Sequence, residues 1–163
     1  MLAGKKVVGS LIYASVDDML REAGWLPGRD VDATDVFARL GSCGFRVSDA
    51  ARNFLGRYYG LRLLHEPCIE VRGTVVCTRT SFDPLVVATE RDVRFAERCS
   101  SVAGVDLCPV GTDGFHLTIY VSPDGRLWGG KDSYVYAYAS DESRLFEKMR
   151  TGERPSKIGE WRL

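Results

Sequence analysis

Histidine is scarce in this chain, and apolar residues never run together for long. Only two of the 163 residues are histidine, and no C-x-x-C pair occurs among the five cysteines at 43, 68, 77, 99 and 108. Zinc wants four soft ligands at tight spacing, so no zinc module is expected. A disulfide scaffold calls for an even set of cysteines in a secreted chain; the odd count here points to reduced thiols in a cytoplasm. No stretch of about 18 apolar residues exists, so no membrane-spanning helix is expected. The segment from Lys5 to Ser15 imitates the start of a signal peptide, charge first and then an apolar run. That run is short, contains Gly9 and Ser10, and is followed at once by Asp17 and Asp18, so residues 1–15 read as a leader or edge segment.

Net charge is missing too, with 22 basic residues against 22 acidic. The balance is +2 over residues 1–80 (11 basic, 9 acidic) and −2 over residues 81–163 (11 basic, 13 acidic). No strongly basic face follows, so nucleic acid is not expected as a direct partner. Apolar residues make up 45% and charged residues 27%, a balance that excludes disorder, collagen and coiled coil. The length suits one domain.

The first third has helical periodicity. Ser15 can cap a helix carrying Val16, Met19, Leu20 and Ala23, with Gly24 ending it. Asp32 or Thr34 can cap a second, with Val36, Phe37 and Leu40 inward and a stop at Gly41 or Gly44. Ser48 caps a third, whose inner face is Ala51, Phe54, Leu55 and Tyr58. From residue 61 the period falls to two. Residues 61–66, 68–72 and 74–80 read as short antiparallel strands, with Pro67 breaking the first two apart and Gly73 turning the next pair. Thr89 begins a fourth helix with Val93, Ala96 and Cys99 inward, closed by Gly104. Residues 115–121 and 126–128 flank Ser122-Pro123-Asp124-Gly125, a hairpin signal. Residues 134–139 form one more strand, Ser140 caps a last helix bearing Leu145, Phe146 and Met149, and Gly152 closes it. Residues 154–163 read as a tail. The order predicts a single α+β domain, an antiparallel sheet flanked by N-terminal helices, a central helix and a C-terminal helix.

Motifs that carry chemistry are few. Residues 125–131 match G-x-x-x-x-G-K, but Asp132 follows where a P-loop needs Ser or Thr, and a strand follows where it needs a helix. The hairpin reading is preferred. Asp30, Asp32 and Asp35 are residue types that hold a hard cation, and equally those that start a helix. Cys43 in Gly41-Ser42-Cys43-Gly44 could act as a nucleophile if His65 or His116 approached it, and a helix-ending turn explains the same residues. Tyr134, Tyr136 and Tyr138 alternate onto one sheet face. Read from residues alone, a binding module is favoured over an enzyme, with no catalytic residues, cofactor or metal expected.

Several phrases in order resemble the SUKH immunity proteins, in particular the third subgroup of that bacterial superfamily. They are Leu20–Asp32 with its Ala23-Gly24-Trp25 and Gly28-Arg29, then Phe54-Leu55 with Tyr58 and Gly60-Leu61, then Phe82-Asp83-Pro84. Cys108-Pro109-Val110-Gly111, Ser122–Leu127 and a final helix ending at Gly152 complete the set. The coverage is about residues 16–153. The resemblance implies a non-catalytic α+β protein that binds a cognate polymorphic toxin, often a nuclease or nucleic-acid deaminase, and blocks it inside the cell. A cytoplasmic regulatory or scaffold module of the same fold is the competing class. Trp25, Pro27 and Gly28 then read as fold determinants. Arg29 pairs with Asp30 or Asp32, or faces a partner. The candidate contacts are the acids Asp30, Asp32, Asp124 and Asp132, with Tyr134 and Tyr136 as aromatic anchors; oligomeric state is left open.

Overall fold

The computed structural model describes residues 10–162. Helices α1 (Val16–Glu22), α2 (Thr34–Cys43) and α3 (Asp49–Tyr58) come first. Strands β1 (Arg62–Val71) and β2 (Thr74–Ser81) follow, then a 3-10 turn at Pro84–Val87 and α4 (Glu90–Ala103). Strands β3 (Cys108–Asp113), β4 (Thr118–Val121), β5 (Leu127–Lys131) and β6 (Tyr134–Ala139) lead to α5 (Glu142–Thr151) and a last strand, β7 (Ser156–Glu160). The seven strands form one antiparallel sheet in simple sequence order. This is the expected α+β domain.

Local chemistry sets the helix ends. Ser15 accepts from the Asp18 amide and Ser48 from the Ala51 amide. Thr89 and Asp92 exchange side-chain bonds with each other's backbone in a reciprocal cap. The cap of α5 is Asp141, which accepts from the Arg144 amide, one residue later than the expected Ser140. Asp32 accepts from the Thr34 amide and hydroxyl but stands outside α2, whose N-cap is Ala33.

Three strand expectations need correction. Pro67 does not split β1; a register shift between His65 and Cys68 carries the strand past it, because a bulge tolerates a residue with no amide donor. Residues 108–113 form β3, hidden in the sequence by Pro109 and Gly111. Gly111 is required there, since a Cβ would stand 2.5 Å from the Ser81 carbonyl oxygen of β2. The expected tail contains β7, which pairs along β6 and closes the sheet's far edge.

The cysteine reading is corrected as well. The two-residue turn at Arg72-Gly73 sets Cys68 directly opposite Cys77, with their Cα atoms 4.0 Å apart, and the two are disulfide-bonded. Cys43, Cys99 and Cys108 remain free. Burial pushes the thiols of Cys99 and Cys108 up to about 12, so they serve as small apolar fillers.

The core lies between the sheet and the helices. Phe54 and Tyr58 of α3, Phe82 just past β2 and Phe146 of α5 pack as an aromatic cluster. Ring centroids are 4.8 Å apart for Tyr58–Phe146, 4.9 Å for Phe54–Tyr58 and 5.2 Å for Phe54–Phe82. On the opposite face α4 lies against β6 and β7. Gly130 of β5 lets α4 come close, since a Cβ would strike Cys99 and Phe95, and at Gly129 a Cβ would strike Leu117, just before β4. Of the P-loop-like glycines, Gly130 is therefore a packing residue of a strand, while Gly125 lies in the β4–β5 turn with φ of +84°.

At the root of β1, His65 is buried. Its Nδ1 donates to the Glu66 carbonyl at 2.6 Å, which leaves Nε2 to accept from the Thr80 hydroxyl at 2.7 Å. Desolvation lowers its pKa, outweighing the upward pull of the Glu66 carbonyl and of Asp113. Asp113 is itself buried and ion-paired with Arg154 at 3.3 Å.

Two stability outcomes follow. Phe146→Ala removes the ring that joins α5 to the aromatic cluster and should cost about 3–5 kcal/mol; an unchanged urea midpoint would show that α5 is peripheral. His65 takes up a proton below its ordinary pKa of 6.5 in the unfolded chain, while the folded chain resists it. Stability is thus held above that pH and lost as the pH falls toward the lowered folded value. Between pH 7.5 and 5.5 the urea midpoint should drop more steeply for the parent than for His65→Gln. Parallel pH profiles would exclude this assignment.

Candidate functional site

The candidate contact residues fall in three separate places. The first surrounds the C-terminal end of α3. Arg29 donates from Nη1 to the Arg57 carbonyl and from Nη2 to the Tyr59 carbonyl, both at 2.7 Å, so its guanidinium caps the helix end. It pairs with neither Asp30 nor Asp32. The Val31 amide donates to the Gly56 carbonyl at 2.7 Å, which seats the loop on α3. A Cβ at Gly56 would stand 3.3 Å from Oδ1 of the exposed Asp30. Asp32 is exposed, and the Thr34 hydrogen bonds hold its carboxyl below the usual range.

The second place is the β4–β5 hairpin at the other end of α3. The Trp128 indole donates to the buried Ser122 hydroxyl at 2.9 Å, and Ser122 donates in turn to Asp124. Arg126 adds an Nε contact to Asp124 at 2.7 Å and lies over the Trp128 ring at 4.8 Å. The Ser122 bond, ahead of Arg126, keeps the Asp124 carboxyl ionised and its pKa low. Asp124 thus points outward from a fixed base.

It borders an open groove of about 420 Å³ that also meets Asp49, Asn53 and Arg57 of α3, and Asp141 and Glu142 at the start of α5. Arg57 pairs with Glu142 at 2.6 Å, and the Tyr58 hydroxyl donates to the same carboxylate at 3.3 Å. Burial first, and then Glu142, push Tyr58 up to about 12. Four carboxylates against Arg57 and the flanking Arg126 leave this groove acidic on a chain of zero net charge. Asp49, Asp141 and Glu142 escape sequence reasoning because each reads as an ordinary helix-start acid.

The third place is the β5–β6 hairpin. Asp132 is exposed in its turn with φ of +54°, and Tyr134 follows with the Lys157 ammonium 4.1 Å from its ring centre. Tyr136 is partly buried against the core and Tyr138 fully buried. Asp124 and Asp132 therefore stand at opposite ends of β5, roughly 20–25 Å apart at about 3.3 Å per residue.

The remaining chemical candidates do not assemble. The Cys43 thiol donates to the Ala88 carbonyl at 3.0 Å, while both nitrogens of His65 are engaged by Glu66 and Thr80. His116 sits in the β3–β4 turn with φ of +64°. Among the described residues no three His, Cys, Asp or Glu side chains converge as metal ligands would, Asp30, Asp32 and Asp35 included. No helix among them is long and apolar enough to cross a membrane.

The fold and its surface define a small α+β domain that presents polar, open grooves. A family model for SUKH-3 immunity proteins matches residues 12–152. The chain belongs to the SUKH-3 immunity protein family, as the ordered phrases from Leu20 to Gly152 imply. Comparisons with curated proteins and with solved structures give no match.

Arg29 has a structural test. Arg29→Ala strips two charge-assisted bonds from the end of α3 and should cost about 1–3 kcal/mol of stability. A urea midpoint equal to that of the parent would remove Arg29 from the helix cap and return it to the exposed surface.

Proposed function

We propose that this chain binds a cognate toxin domain, a nuclease or nucleic-acid deaminase, and silences it by occupancy, without turnover of its own. Family membership over residues 12–152 supports the immunity role. The acidic groove at the start of α3 and α5 carries the choice of toxin class. Enzymes that grip nucleic acid present basic clefts, and an acidic groove suits such a cleft. Occupancy protects only if the complex persists, which requires nanomolar affinity, about −12 kcal/mol. A neutral chain reaches that through a few desolvated anchors and a local, oriented charge pattern. Asp124 is the leading contact, because its partners fix it at the groove's rim. Asp30 and Asp32 beside Arg29, and Asp132 with Tyr134 and Tyr136, are the alternative contact regions.

The charge reversals must be made singly, since the two hairpins lie far apart. Asp124→Lys should weaken binding to the neighbouring-gene toxin domain at least tenfold at low salt, with less effect at high salt; it also loses the Ser122 and Arg126 bonds and lowers the melting temperature, so binding is compared where both chains are folded. Asp132→Lys is the internal comparison. If toxin inhibition survives the Asp124 reversal and falls with Asp132→Lys, the interface lies on the β5–β6 hairpin; if it survives both, the Asp30–Asp32 region is next.

A further inference from the structure

The distal half of the β1–β2 hairpin extends beyond the helices that cover the rest of the sheet. Thr74, Val76, Thr78 and Thr80 share one face of β2, and Leu63 and His65 are their neighbours on β1. Leu63, His65, Thr78 and Thr80 are buried. Two residues further out the cover ends: Thr78 is 2% exposed, while Val76 is 49% exposed, its cross-strand partner Ile69 52% and Val71 46%. An apolar sheet face is thus carried into solvent on a two-stranded ribbon.

The ribbon also has an edge left bare by the described residues. Among the described residues, the β2–β3 ladder reaches only Thr80 and Ser81, with one further bond from the Gly114 amide to the Arg79 carbonyl. Outward of that, Thr74-Val75-Val76-Cys77 is an uncharged, proline-free run of strong strand formers. The two outer edges of the sheet are protected in the usual ways, β1 by Pro67 and its charged residues, and β7 by Lys157, Glu160 and its short length. An isolated two-stranded ribbon is marginal in water. Here the Cys68–Cys77 bond holds the two strands together at its base.

Charge selects the occupant. Arg72 at the tip and Arg79 at the root flank the bare edge, and neither has an ion pair among the described residues. Antiparallel self-pairing of Thr74–Cys77 about its midpoint would set Arg72 of each copy directly opposite Arg79 of the other. That repulsion disfavours a second copy of this chain. We propose that the Cys68–Cys77 arm receives an edge strand from the toxin domain, apolar at its centre and carrying a carboxylate toward each end, about seven residues apart. Its backbone pairs with Thr74–Cys77, its central side chains pack beside Val76, and its carboxylates meet Arg72 and Arg79. The proposal rests on the immunity reading for the identity of the partner.

Hydrogen exchange with the neighbouring-gene toxin domain tests it, together with affinity measurements on Val76→Lys and on the double variant Arg72→Glu/Arg79→Glu. In the complex, amides of residues 74–77 should slow at least tenfold, and each variant should bind at least tenfold more weakly. The double variant alters only exposed charge, so it remains informative if Val76→Lys folds poorly. A complex that forms with exchange at 74–77 unchanged and both affinities intact overturns the arm and leaves the immunity reading standing. Failure of the parent chain to bind the toxin domain overturns both. Protection of the same amides by raising the chain's own concentration would assign the edge to self-association and overturn the heterologous partner.

Discussion

The aromatic cluster of Phe54, Tyr58, Phe82 and Phe146 is the contact on which the rest of the structure depends. It joins three elements that are distant in sequence: α3, the chain leaving β2, and α5. Phe82 is held twice, by its ring among the other three and by its backbone. The Gly60 amide donates to its carbonyl at 2.9 Å, and its own amide donates to the Leu61 carbonyl at 3.0 Å. That clamp brings the chain past Gly111, where no side chain fits. Burying four aromatic rings yields several kcal/mol of apolar transfer together with ring-pair geometry, enough to determine where α5 docks. Once α5 is docked, Glu142 meets Arg57 and Tyr58, and Asp141 comes to the side of Asp49. The acidic groove is thus a by-product of core packing.

Helices were legible in the sequence because their signals are local. Ser15, Ser48 and Thr89 supply caps, and Gly44, Gly104 and Gly152 take left-handed conformations at the ends. The inner face of α3 is the expected Ala51, Phe54, Leu55 and Tyr58. Strands were legible only where the pattern was plain. Pro67 reads locally as a break, yet the bulge that passes it depends on pairing with β2. Pro109 and Gly111 conceal β3, because the close approach that requires the glycine is a tertiary fact. The exposed, polar β7 has no alternating pattern, and only its ladder with β6 makes it a strand.

The disulfide is written in the spacing of the hairpin. A two-residue turn at Arg72-Gly73 pairs residues equidistant from it, and Cys68 and Cys77 are such a pair. The cysteine count, taken over the whole chain, hid a bond that the hairpin arithmetic contains. The contact candidates dispersed for a different reason. Asp124 and Asp132 are close in sequence, but a full strand separates them, since a chain segment between two turns places them at opposite ends of the sheet. Conversely, Arg57 and Glu142 lie 85 positions apart and form an ion pair. Sequence proximity predicts a cap or a turn well and a shared surface poorly.

Zero net charge also proved a weaker constraint than it looks. The chain's acids and bases are balanced in number but segregated in place. Carboxylates collect where α3 and α5 begin, because helix starts favour them. Arginines stand at the tip and root of a β2 edge whose middle, Thr74–Cys77, is uncharged. A protein with this distribution exerts little net attraction at long range, where a partner senses only the sum. At closer range, within about a Debye length of 8–10 Å, each region acts separately. Under the proposed contacts such a surface discriminates by orientation: a partner aligned with both the groove and the arm gains from each, while a misaligned one meets like charge at one end. On that proposal, specificity among related partners comes from the spacing between two oppositely charged patches, a quantity set by the length of the sheet and by the aromatic cluster that anchors α5 to it.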